Sequence, residues 1–81
     1  MNEMQIRQTN VFLSGVYEGL CKGNDRPAMQ FQLTQLYGII RNLMEATFIA
    51  KSHEIRVLLA MMESRARQYL SALEIRLAVR N

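Results

Sequence analysis

The stretch "FIAKSHEIRVLL", residues 48–59, decides how many helices the chain contains. From Gly38 to the end there is no further Gly or Pro. Composition therefore leaves open a single helix of about 40 residues, some 60 Å long at about 1.5 Å per residue. The apolar period argues against it. Leu36, Ile40, Leu43 and Thr47 form one stripe, and carrying its phase forward lands on Lys51 and Glu54. The next apolar set is Ile55, Leu59, Met62, Ala66, Tyr69, Leu73 and Leu77, which is out of phase with the first. One straight helix cannot keep both stripes on one face. The slip falls near Ser52, whose hydroxyl suits an N-cap, and Glu54 in the turn after it suits the positive end of a helix dipole. The pattern predicts a break over residues 51–54.

Upstream lies "CKGNDRPAMQFQLTQLYGII", residues 21–40. Gly23 suits the left-handed residue that ends a helix, and Asn24 or Asp25 can accept the free amides that begin the next. Pro27 then falls in the first turn, where its missing amide proton costs nothing. Before this turn, Ile6, Leu13, Val16, Tyr17 and Leu20 recur at helical spacing. Glu3 and Arg7 at i and i+4 add a few tenths of a kcal/mol. Gly15 and Gly19 each cost this helix about 1 kcal/mol relative to Ala; four residues apart on one face, they would permit a close helix contact. After the turn, Met29, Leu33, Leu36, Tyr37, Ile40, Leu43, Met44 and Thr47 make a continuous stripe, widened by Ile39, Phe48 and Ile49. The expected fold is all-α, a helical hairpin or three-helix arrangement over about 3–21, 27–51 and 53–79, with the first pair antiparallel and residues 1–81 forming one small domain. Its hairpin core is expected at Leu13, Leu20, Leu33, Leu36, Ile40 and Leu43.

Composition limits the function classes. Nearly half of the 81 residues are apolar and only four are Gly and one Pro, which argues against disorder and against a turn-rich β fold. Cys21 is the only cysteine, so no internal disulfide framework is possible. No charged and then apolar leader pattern opens the sequence, and no apolar run approaches the roughly 20 residues that span a bilayer. The expected location is cytoplasmic, without a membrane span. The net charge of +3 is uneven, with five Arg against Glu63 and Glu74 from Arg56 onward.

No catalytic, cofactor or metal constellation emerges. His53 is the only histidine, and its neighbour Glu54 points elsewhere on a helix. A zinc or nucleophile site needs more ligands or a partner base. Cys21 reads as a small hydrophobe near a helix end. Six Glu are scattered without pairing, and there is no phosphate loop or Ser-His-Asp set. The pattern is that of a non-enzyme. Arg65, Arg67, Arg76 and Arg80 could contact phosphates, but the interleaved Glu63 and Glu74, and the lack of a recognition or stacking motif, favour a solvated face. Six Met are many for this length, and Met44, Met61 and Met62 flank the apolar stripes, as on surfaces that accept helices. A small single core rarely supplies more than about 3–5 kcal/mol, so association with a protein partner, identical or different, is expected. Leu59, Met62, Tyr69 and Leu73 are the residues expected to meet it.

A first helix carrying "VYEGLCKG", the turn "NDRP", the Gln-rich "MQFQLTQL" and then "YGIIRNLMEA" resembles the small hairpin co-chaperones of bacterial type III secretion needle subunits. The likeness covers roughly residues 13–46, matching at Gln30, Gln32, Gln35, Leu36, Ile39 and Ile40. The resemblance implies a hairpin that pairs with a helical-repeat chaperone to shield a polymerising subunit in the cytoplasm. The segment from His53 onward departs from the usual two-helix form of that family. The same turn also resembles the hairpin of needle or inner-rod subunits, which implies a structural subunit of a helical assembly instead. The leading expectation is a chaperone, adaptor or regulator; a structural subunit follows, and a basic nucleic-acid-binding regulator comes third.

Overall fold

The structure is a computed structural model and describes residues 1–79. Three helices account for nearly all of them: α1 (Glu3–Lys22), α2 (Arg26–Ile49) and α3 (His53–Ala78). Each boundary has a local chemical cause. The Asn2 side chain accepts from the Gln5 amide at 2.8 Å while the Gln5 side chain accepts from the Asn2 amide at 2.9 Å, a reciprocal box that satisfies two otherwise orphaned donors. Gly23 ends α1 at φ +91°, a conformation costly for any residue with a Cβ, and its amide donates to the Gly19 carbonyl at 2.9 Å. Asp25 then caps α2 through the Ala28 amide at 2.8 Å, with Pro27 in the first turn. Ser52 caps α3 by accepting from the Ile55 amide at 3.4 Å. α2 stops at Ile49, two positions short of the expected 51, and Ala50, Lys51 and Ser52 form the break that the phase slip requires.

Side-chain pairs fix the directions of the helices. Tyr37 meets Glu74 and Met44 meets Arg67, so α2 runs against α3. Asn10 meets Arg65 and Tyr17 meets Tyr69, so α1 runs with α3 and is antiparallel to α2, as expected for the first pair. The result is a narrow three-helix prism of 47 × 18 × 16 Å. Its core contains Leu13 and Val16 from α1, Met29, Leu36, Ile40, Leu43 and Ala46 from α2, and Leu59, Met62, Ala66 and Leu73 from α3. Leu20 and Leu33 pack at its margin. The six expected hairpin-core positions therefore all face inward. The closest and longest backbone contact is between α2 and α3; α1 rests on α3 over a shorter stretch and approaches the α2 backbone least.

Two local expectations need correction. Gly15 makes no close helix contact: a Cβ there would meet no atom within 4 Å. A Cβ on Gly19 would meet the Asn24 side chain at 3.1 Å, so its neighbour is the loop and not another helix. Arg76 lies in the last turn of α3, where its charge complements the helix dipole, and Arg26, from the first turn of α2, reaches that helix's terminal carbonyls. Arg80 lies outside the described residues.

Candidate protein-docking face

The residues expected to meet a partner are mostly inside the molecule. Leu59, Met62 and Leu73 are 1%, 2% and 1% exposed. Tyr69 is partly buried, its ring 5.8 Å from that of Tyr17. The stripe at i, i+3 and i+7 is therefore the inward face of α3, completing the core with Leu36, Ile40 and Leu43. The phase slip that separates the two helices also allows the chain to fold back, which turns both stripes toward each other.

Among the apolar side chains left outside are the off-stripe Phe48 and Ile49 and, from the α2 stripe itself, Met44; Met4, Val11 and Phe31 are exposed singly elsewhere. Phe48 is 87% exposed, Ile49 68% and Met44 49%. These three, with Glu45, line an open depression of about 510 Å³ at the C-terminal end of α2. Residues 44, 45, 48 and 49 share a face because they recur at i, i+1, i+4 and i+5 on a helix. That face is turned about a quarter turn or more away from Leu36, Ile40 and Leu43, so folding the bundle cannot cover it. On α3, Met61 and Ile75 are likewise exposed. The sequence signal for the depression was the widening of the α2 stripe by Phe48 and Ile49. The in-phase residues Leu59, Met62 and Leu73 of α3 make the stronger sequence signal, and it is those that the fold buries.

Basic side chains are divided between two sides of α3. Arg65 donates to the Asn10 side chain at 3.1 Å and lies 5.8 Å from the Tyr69 ring centroid, on the side facing α1. Arg67, about 200° further round the helix, pairs with Glu63 at 2.9 Å and donates to the Met44 sulfur at 3.2 Å, on the side facing α2. Arg56 donates to the Ala50 carbonyl at 2.6 Å. These three arginines form no common stripe. His53 and Cys21 are exposed at opposite ends of the bundle. Among the described residues, no three His, Cys, Asp or Glu side chains gather as a metal site would require, and no helix is long and apolar enough to cross a membrane.

Among the described residues, one titratable group is perturbed. The Tyr17 hydroxyl is raised above its ordinary value of 10.0, chiefly by its hydrogen bond to the Cys21 side chain and then by the like charges that Cys21 and Tyr69 would carry at high pH. The group is exposed, and the arrangement suits no proton transfer at neutral pH.

The class defined by this geometry is an all-α three-helix bundle with an uncovered apolar helix face. Comparison with protein-family models, with curated proteins and with solved structures finds no match.

Proposed function

We propose that the chain is a non-enzymatic protein-interaction module that docks a protein partner on the apolar face at the end of α2. The observation that carries this reading is the depression formed by Met44, Phe48 and Ile49, whose side chains the fold leaves in water. Phe48 and Ile49 stand side by side and are among the most exposed large apolar side chains of the fold, which makes them the natural place for an apolar contact. Methionine adapts to irregular partner surfaces, and an aromatic side chain is the commonest kind of anchor. The small core adds a second reason, since association supplies stability that a bundle of this size lacks.

Within that class the chain acts as a small cytoplasmic chaperone, adaptor or regulator. The resemblance of residues 13–46 to the hairpin co-chaperones of type III secretion needle subunits supports the chaperone role; α3 is an addition to the usual two-helix form. The division of Arg65 and Arg67 between two sides of α3 weighs against a nucleic-acid groove, which draws on a clustered basic face.

Tagged wild-type chain and its Phe48→Asp variant, purified in parallel from the native host and compared by mass spectrometry and sedimentation, test the proposal. The wild type forms a defined complex with one protein, or with itself, and the variant loses it. Wild type and variant that sediment identically as monomers with no bound protein would overturn it. Open-ended polymerisation of the wild type would instead mark a structural subunit.

A further inference from the structure

α1 is fastened to the bundle in a different way from α2 and α3. The latter two are stitched at both ends by arginine: Arg26 to the Leu77 carbonyl at 2.7 Å, and Arg56 to the Ala50 carbonyl at 2.6 Å. Between those ties lie the Tyr37–Glu74 and Arg67–Met44 contacts. The polar groups of α1 are instead satisfied almost wholly within α1. Its N-terminus is closed by the Asn2–Gln5 box, and the Thr9 hydroxyl donates to the Gln5 carbonyl at 2.7 Å. Its charges pair locally as Glu3–Arg7 and Glu18–Lys22. Across to the rest of the fold, the described residues show one side-chain hydrogen bond, from Arg65 to Asn10, and the tilted Tyr17–Tyr69 ring contact.

We infer that α1 is a hinged cover that swings off the α2–α3 hairpin as an intact helix, turning at the Gly23–Asp25 connection, while the hairpin stays paired. Leaving the bundle strands few polar groups of α1, because its caps and ion pairs travel with it. The cost of opening is the apolar contact that Leu13 and Val16, with Ile6, Phe12 and Leu20 beside them, make with the core, so the closed form dominates and the open form is a minor state. The hinge is suited to the motion, since Gly23 has no atom within 4 Å of the position a Cβ would take and adopts a φ that other residues avoid. The contact with α2 is already incomplete. A cleft of about 390 Å³, as apolar as it is polar, separates Gln5, Gln8 and Thr9 from Asn42, Glu45 and Ile49, with Met1 and Ala46 also in its lining. Pro27 keeps the open form bent, since its ring prevents α1 and α2 from fusing into one helix. Opening bares the side of α3 that carries Arg65 and Tyr69. The motion is a property of the isolated chain and does not depend on the docking face at Phe48.

Native-state hydrogen exchange across a series of denaturant concentrations, on the full chain, tests this. Once detached, α1 is a lone helix with two internal glycines, marginal in water, and its amides exchange in that state. Those from Ile6 to Leu20 should therefore share a single opening with a small denaturant dependence, and exchange about tenfold or more faster than the slowest amides around Leu43 and Met62. Amides of α1 that exchange with the same free energy and denaturant slope as those of α2 and α3 would overturn the inference. A smooth gradient decaying from the Glu3 end would overturn it as well, because that pattern is fraying and not the release of a unit.

Discussion

The guanidinium of Arg26, in the first turn of α2, donates from Nη2 to the carbonyl of Leu77, 51 residues later in the last turn of α3, at 2.7 Å. At the other end of the same helix pair, Arg56 from the first turn of α3 donates to the carbonyl of Ala50, which caps α2. Each arginine places a positive charge at the negative end of the neighbouring helix and satisfies a carbonyl that no intrahelical amide can reach. The register of α2 against α3 is thus fixed at both ends by backbone oxygens. Arg26→Ala should cost about 1 kcal/mol in stability and free the last turn of α3. Denaturant titration together with amide exchange at Ile75–Ala78 checks this; unchanged protection there would show that the tie is not formed in solution.

Gly15 and Gly23 should respond to alanine in opposite directions. Gly15 is helical with open space around it, so Gly15→Ala should stabilise by about 1 kcal/mol. Gly23 sits at φ +91°, so Gly23→Ala should destabilise by about 1–2 kcal/mol. Thermal unfolding followed by circular dichroism would show one midpoint raised and the other lowered.

Three aspartate substitutions separate core from surface. Ile40→Asp and Met62→Asp each bury a carboxylate without a partner, which exceeds the few kcal/mol that a core of this size supplies. Both should abolish cooperative folding. Phe48→Asp changes an exposed position and should leave helicity and the unfolding midpoint nearly unchanged. Far-ultraviolet circular dichroism on the three variants is sufficient, and a folded Met62→Asp chain would contradict the packing of α3.

Tyr17 should ionise at a higher pH than a free tyrosine. The hydrogen bond to Cys21 stabilises the neutral phenol, so the folded-state value lies above the unfolded 10.0. The associated stabilisation is present below pH 10 and is lost as pH rises through the folded-state value. Spectrophotometric titration of a chain carrying Tyr37→Phe and Tyr69→Phe isolates the group. Adding Cys21→Ala, which removes both the hydrogen bond and the charge, should move its midpoint back toward that of free tyrosine.

Element type and order were legible in the sequence because each boundary has its own local cause: Gly23 and Asp25 at the first turn, Ser52 and the phase slip at the second. The inward faces of α1 and α2 were legible in part: a stripe such as Leu36, Ile40 and Leu43 is set by spacing and faces inward, whereas Tyr17, Tyr37 and Met44, which share those stripes, stand at the edge and are about half exposed. The partner face was not. Periodicity shows that Leu59, Met62 and Leu73 share a side of α3, but not whether that side faces a second chain or α2. Only the chain reversal at Ala50–Ser52 decides it, and that reversal turns the stripe inward. Phe48 and Ile49 then become the informative residues because they fall outside the pattern.

Whether the face around Phe48 is where another protein binds can be read from a photo-reactive benzophenone side chain placed at position 48 in the native host. Gln30, an exposed position near the other end of α2, serves as the control. The account predicts a discrete covalent adduct with one protein, or with a second copy of this chain, from position 48 and none from position 30. A chain that stays folded and monomeric and gives no adduct at position 48, or gives the same diffuse adducts at both positions, would contradict it.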